Sequence, residues 1–168
     1  MVTFIQIGSN LGDKLNMIFL SHQYILQQIG YIINESAIYE TEPWMMDTDE
    51  WFLNQVIEVK TDLDPHSILI KLKEFERTHG RNINNGNIKK YQSRFVDLDI
   101  LFYDNLIVNS SDLIIPHPFL HDRKFVLIPM NEIKPDFIHP VFNKTIKELL
   151  TDCDDTHQVL LHKYKMLI

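Results

Sequence analysis

Two aspartates stand two residues apart in an otherwise apolar run, Arg94-Phe95-Val96-Asp97-Leu98-Asp99-Ile100-Leu101-Phe102-Tyr103. The run has the β-branched and aromatic content of a strand. Alternation along a strand puts Asp97 and Asp99 on one face, about 6.5–7 Å apart, and Val96, Leu98, Ile100 and Phe102 on the other, against a core. Asp is depleted in strands and like charges on one face repel, so something positive should sit between them. Paired carboxylates suit Mg²⁺, which takes oxygen ligands and keeps waters and substrate phosphates. The segment alone fits equally the solvated face of an edge strand. From Arg77 to Val96 there is no Asp or Glu, but Arg77, Arg81, Lys89, Lys90 and Arg94 are present. A basic island leading into an acidic pair reads as an anion site beside a metal site. Arg94, three residues before Asp97, would face the other way in an unbroken strand, and a loop-to-strand junction leaves its direction open.

Other residues are weaker signals by themselves. His117 lies between two prolines and reads more readily as structural than functional. Phe52 and Phe125 are most simply core residues. Asn54, inside a strand pattern, needs a specific hydrogen-bond partner if buried. Gly8-Ser9-Asn10 lacks the repeated glycines and the lysine of a phosphate-binding loop.

The elements that must position these groups follow from periodicity. Thr3–Ile7 reads as a first strand, and Gly8–Asp13 as a turn rich in capping residues. Leu15, Ile18, Phe19, Ile25, Leu26 and Ile29 then recur at helical spacing, with Gly30 as the stop. Tyr31–Tyr39 and Trp51–Thr61 read as strands, joined by a long loop over residues 40–50. Asp64-Pro65 opens a second helix with an Ile68, Leu69, Leu72, Phe75 stripe, ending at Gly80. Residues 80–93, rich in Asn and Gly, read as a candidate lid over the site. The Asp97/Asp99 strand follows, then a turn at Asp104-Asn105 and a short strand at Leu106–Val108. Leu113-Ile114-Ile115 leads into a stiff Pro116-His117-Pro118 turn, and a helix over His121–Ile133 follows whose pattern Pro129 breaks. A short helix at Thr145–Leu150 precedes a tail with no assignable role. This order predicts an α+β fold with a ferredoxin-like βαββαβ core: a mainly antiparallel sheet, helices on one side, and C-terminal additions.

The 168 residues suggest a single domain over 1–168, large enough for a sizeable core. Hydrophobic residues make up 45% and charged residues 23%, as in an ordinary globular protein. No apolar run approaches the ~20 residues of a membrane span, and the N-terminus lacks a signal-peptide pattern, so a cytoplasmic protein is expected. One cysteine, Cys153, rules out an internal disulfide and a thiolate cage. A net charge of −7 argues against nucleic-acid or anionic-membrane partners.

Several strings together resemble the 6-hydroxymethyl-7,8-dihydropterin pyrophosphokinase family of folate biosynthesis. They are Ile7-Gly8-Ser9-Asn10-Leu11-Gly12-Asp13, Tyr39-Glu40-Thr41-x-Pro43, Phe52-Leu53-Asn54, Glu76 with Gly80-Arg81, Arg94-x-x-Asp97-Leu98-Asp99-Ile100-Leu101, Pro116-His117-Pro118 and Arg123-x-Phe125-Val126-Leu127-x-Pro129. They occur in the family's order over residues 4–133. The resemblance implies transfer of pyrophosphate from ATP to the pterin's hydroxymethyl oxygen, releasing AMP. It implies two Mg²⁺ ions held by Asp97 and Asp99, with Arg81, Arg94, His117 and Arg123 on the triphosphate or the leaving AMP, and Glu76 and Ile100 near the nucleotide. It puts the pterin between Phe52 and Phe125, with Asn54 and groups around Thr41 and Trp44 reading its ring edge. The implied partners are these small molecules, in a monomer or weak homodimer.

The chain departs from the family pattern in its loops. Ile83 stands where a second arginine is usual, and Tyr91-Gln92-Ser93 replaces Trp-Gly-Pro. Trp44 occupies a position that is commonly small or aliphatic. Lys89 or Lys90 could replace the missing charge. Two other readings compete: a two-metal nucleotidyltransferase on a similar scaffold, releasing pyrophosphate, and a non-catalytic pterin or nucleotide binder. No fused dihydropteroate synthase or aldolase domain is expected from these 168 residues.

Overall fold

The computed structural model describes residues 1–45, 48–79 and 95–163. Its centre is β1 (Val2–Ser9), buried along nearly its whole length. Antiparallel β4 (Phe52–Lys60) flanks it on one side and β5 (Asp97–Tyr103) on the other. Beyond β4 lie β2 (Tyr31–Glu35) and β3 (Tyr39–Thr41), both paired with β4. The predicted single strand over 31–39 is therefore two. Ser36 makes the break: its amide donates to Val56 O while its hydroxyl accepts from Val56 N, so the side chain stands in for a ladder carbonyl. A last strand, β8 (Val159–Leu161), comes from the tail and pairs with β3. The order β5-β1-β4-β2/β3 is the expected ferredoxin-like arrangement.

Helices α1 (Lys14–Gln28) and α2 (Pro65–His79) make the two crossovers. Asp13 caps α1 by accepting from Asn16 N, and Asp64 caps α2 by accepting from His66 N and Ser67 N. Gly12 precedes α1 with φ of 65°. Ile18 and Ile25 of α1 and Ile68, Leu72 and Phe75 of α2 pack with Ile5, Ile7, Ile57, Leu98 and Ile100 of the sheet.

The two core helices lie on one face, as expected, and the C-terminal additions take the other. After a two-stranded ribbon, β6 (Val108–Asn109) with β7 (Ile114–Ile115), and a 3₁₀ turn at Leu120–Asp122, helices α3 (Lys124–Ile133) and α4 (Ile146–Asp152) cover the opposite face. Pro129 lies buried inside α3, which continues past it to Ile133.

Phe102 also departs from simple alternation. Between β1 and β5 the register shifts, with Ile5 opposite Ile100 but Phe4 opposite Phe102. This bulge turns Leu101 and Phe102 both onto the α3/α4 face, where each is fully buried and Phe102 meets Phe4 and Phe137. Burying such side chains contributes about 1.5–3 kcal/mol each, more than the roughly 0.5–1.5 kcal/mol net of a disturbed ladder bond. Packing decides the bulge.

Candidate active site

The site forms where β1 and β5, β3 and β4 end together. The register aligns Asp97, Gly8, Asn54 and Tyr39 across four strands, and Thr41 with Phe52 two residues further. Gly8 is there for space: a Cβ on it would come 2.8 Å from Asn54 Oδ1. Asn54 Oδ1 accepts from Gln6 Nε2 at 3.0 Å, and its Nδ2 donates to Thr41 Oγ1 at 2.7 Å. All three side chains are buried. This chain fixes the amide's orientation and leaves Asn54 one N–H and one lone pair for a ligand. Gln6 Oε1 and Ser9 Oγ are buried with no hydrogen-bond partner among the described residues.

Asp97 and Asp99 are half-buried on one face of β5, as alternation predicts. Beneath them Glu76, buried on α2, accepts the outward amide of Leu98 at 2.7 Å and the Lys73 ammonium at 2.9 Å. An edge strand's unpaired N–H is thus satisfied from a helix. Burial raises the Glu76 pKa, Lys73 opposes that, and Asp97 adds to it. Burial pulls the Lys73 pKa down, but Glu76, Asp99 and Asp97 outweigh it and the ammonium is held charged. Lys73 is a positive group within electrostatic reach of the aspartate pair.

His117 approaches Asp99 Oδ2 to 3.9 Å. Its amide donates to Leu101 O, tying the Pro-His-Pro turn to β5, and its Nδ1 accepts from Phe119 N. The ring proton therefore sits on Nε2. Burial, then Arg123, lowers the His117 pKa to about 4, so at neutral pH it is a neutral donor and not an ion-pair partner. Arg123, which opens α3, is only 8% exposed. Its guanidinium carbon lies 4.6 Å from the Trp44 ring centre, 5.4 Å from Phe119 and 5.7 Å from Phe125. Arg123 Nε has no hydrogen-bond partner among the described residues. A cavity of about 270 Å³ opens beside the aspartates, lined by Leu69, Lys73, Asp99, Ile100, Leu113 and Pro118.

The fold thus gathers Thr41, Asn54, Phe52, Asp97, Asp99, Ile100, His117, Arg123, Phe125 and Trp44 around one end of the sheet. Glu76 lies under them, both oxygens engaged. Arg81, Arg94 and the lid expected over 80–93, with Ile83, Lys89, Lys90 and Tyr91-Gln92-Ser93, lie outside the described residues. Gln6, Lys73 and Phe119 are not singled out by the sequence. A polar residue inside an apolar strand is the signal that marks Asn54, and Gln6 carries it too. Lys73 hides because an i,i+3 pair with Glu76 reads as ordinary helix surface.

Among the described residues no three His, Cys, Asp or Glu side chains converge on a metal position. Two carboxylates are an incomplete shell, and that fits a cation that keeps waters and phosphate oxygens as its other ligands.

Sheet order, carboxylate pair, buried arginine and amide chain define the class: a ferredoxin-like α+β domain with a charged and polar pocket at one end of its sheet. The family model for 7,8-dihydro-6-hydroxymethylpterin-pyrophosphokinase (HPPK) matches residues 4–135. The 2-amino-4-hydroxy-6-hydroxymethyldihydropteridine pyrophosphokinase of Aquifex aeolicus is 35% identical over 145 residues, 86% of this chain and 88% of that one. The folic acid synthesis protein FOL1 of Dictyostelium discoideum is 37% identical over 88% of this chain, which spans only 22% of that longer protein. Among solved structures, Plasmodium falciparum HPPK-DHPS superposes with a TM-score of 0.69 at 18% identity, over 90% of this chain and 44% of that one; it shares the fold. The chain belongs to the 7,8-dihydro-6-hydroxymethylpterin-pyrophosphokinase family.

No helix among the described residues is long and apolar enough to cross a membrane.

Proposed function

We propose that the end of the sheet is where this chain carries out its family's reaction, and that Asp97 and Asp99 hold two Mg²⁺ ions there. The reaction itself follows from family membership: a pyrophosphoryl group passes from ATP to 6-hydroxymethyl-7,8-dihydropterin, in folate synthesis. The pterin hydroxyl oxygen forms a bond to the β-phosphorus, the bond from that phosphorus to the AMP oxygen breaks, and the hydroxyl proton is lost. Mg²⁺ bound at the aspartates would neutralise charge on the phosphates and orient them.

The chain's own groups supply position and electrostatics. Arg123, whose Nε has no partner among the described residues, would turn its guanidinium to phosphate oxygens, and neutral His117 offers Nε2–H beside Asp99 without competing for the cation's place. The family resemblance gives Arg81 and Arg94 the same task. Asn54, held by Gln6 and Thr41, presents a donor and an acceptor to the pterin edge, with Phe52 and Phe125 on its faces. Trp44 and its neighbours close the far wall, and Ile100 and Glu76 shape the nucleotide side.

The observation that carries the reading is the buried Gln6–Asn54–Thr41 chain one strand away from the Asp97/Asp99 pair, with only Gly8 between. It is tested by incubating the protein with ATP, Mg²⁺ and the dihydropterin. AMP and pterin diphosphate are expected, and Asp97→Ala should abolish both; release of pyrophosphate, or an active Asp97→Ala protein, rejects the assignment.

A further inference from the structure

Helix α3 starts at the site and lacks a local cap. Its N-cap residue is Arg123, whose side chain makes no capping hydrogen bond and is turned instead toward Trp44. The first helical amide, Lys124 N, donates to Asp155 Oδ2 at 2.9 Å, a residue 31 positions away in the tail. Asp155 is not an incidental surface group. Its side chain is 2% exposed, and Oδ1 accepts from His157 N at 3.1 Å and pairs with His157 Nδ1 at 2.5 Å. Burial alone would raise its pKa, but these bonds outweigh burial and hold the carboxylate ionised. A buried anion thus takes the first unsatisfied amide of α3, at the positive end of the helix.

The same stretch then grips the opposite wall. Gln158 N donates to Glu42 Oε2 at 2.7 Å and Glu42 N donates to Gln158 O at 3.1 Å. In β8, Val159 pairs with Thr41 and Leu160 with Glu40, and His162 bonds both Glu40 Oε1 and Ile38 O. Residues 155–162 therefore tie the start of α3, with Arg123 and Phe125, to the end of β3, with Thr41. The far end of α3 is pinned to β3 separately, through Glu132 to Ala37 N and Tyr39 OH. With both ends of the helix fixed, the tail sets the gap at the site end.

We infer that Asp155 is a positioning residue for the dihydropterin: it caps α3 from the C-terminal tail and, with β8, sets the spacing between the Arg123/Phe125 wall and the Thr41 wall. This rests on the assignment of those walls to the substrate site, so wild-type AMP production is measured first; its failure rejects that assignment, not the strap.

The test is equilibrium affinity for 6-hydroxymethyl-7,8-dihydropterin, well below the melting temperature of each full-length variant. Asp155→Ala should weaken binding about three- to tenfold, the range expected for a lost cap felt at the site. Asp155→Asn, which keeps an oxygen for the Lys124 amide but sets its NH2 against the His157 amide, should recover part of the lost affinity, binding between Asp155→Ala and wild type. Thr145→Ala, which removes the α4 capping box away from the site, should lower the melting temperature without changing affinity. The proposal is overturned if Asp155→Ala binds as wild type does, if Thr145→Ala weakens binding as much, or if Asp155→Asn binds no better than Asp155→Ala. Should Asp155→Ala fail to fold, Glu42→Ala removes the side-chain acceptor of Gln158 N, loosening the tail on the other wall, and should weaken affinity in the same direction by a smaller factor; unchanged affinity there overturns it.

Discussion

At the scale of single residues, the site depends on a side chain that is missing. Gly8 lets Asn54 occupy the row between Asp97 and Tyr39, and its Cβ would strike Asn54 Oδ1 at 2.8 Å. Gly8→Ala must displace the amide and break its bonds to Gln6 and Thr41, each worth about 0.5–1.5 kcal/mol net. Dihydropterin affinity should fall roughly tenfold or more, while ATP affinity changes little. Calorimetric titration with each ligand decides it, and equal losses for both would reject the separation of subsites. Asn54 is legible in the sequence as a polar residue in a strand. What orients it is not, because Gln6 reaches it only across the β1–β4 register.

At the scale of elements, β5 is an edge strand held in place from below. Glu76 accepts the Leu98 amide between the two aspartates, so the helix fixes the strand that carries the acidic pair. Glu76→Ala leaves a buried N–H without a partner, a cost of about 1–3 kcal/mol, or roughly 2–12 °C in melting temperature. Glu76→Gln keeps the acceptor and should retain most of that stability, because Lys73 is about half exposed and its ion pair adds little. Thermal melts of the two variants distinguish them; an Ala variant as stable as the Gln one would mean that the Leu98 bond is unimportant. The i,i+2 aspartates are readable from the strand period alone. The bulge that turns Phe102 to the second face is not, since it depends on what α3 and α4 offer there.

At the scale of the whole molecule, two histidines, His139 buried and His117 half-buried, are held neutral. His139, 3% exposed, accepts from Val141 N and Phe142 N and packs on Phe102 and Phe142; burial, then nearby His121, lowers its pKa to about 4. His117 is lowered similarly. The unfolded chain binds protons at both near pH 6.5 while the native state does not, so stability is full above that pH and is lost as pH falls toward 4. Each contributes a slope of up to about 1.4 kcal/mol per pH unit in that window. Melting temperature should fall between pH 7.5 and 5, and His139→Asn, which keeps an acceptor for the two amides, should flatten the fall. An unchanged slope in the variant would assign the loss elsewhere.

The sequence by itself determined the family, the ferredoxin-like order of elements and the residues that gather at the sheet end. Those signals are local: alternation, helical period, caps, and short strings such as Asp97-Leu98-Asp99 and Pro116-His117-Pro118. Tertiary structure alone decided that helices cover both faces, that 31–39 breaks at Ser36, that Lys73 and Glu76 brace the aspartates, and that the tail closes the sheet as β8. Each of these is set by hydrogen bonds and packing between residues tens of positions apart, which no local period records.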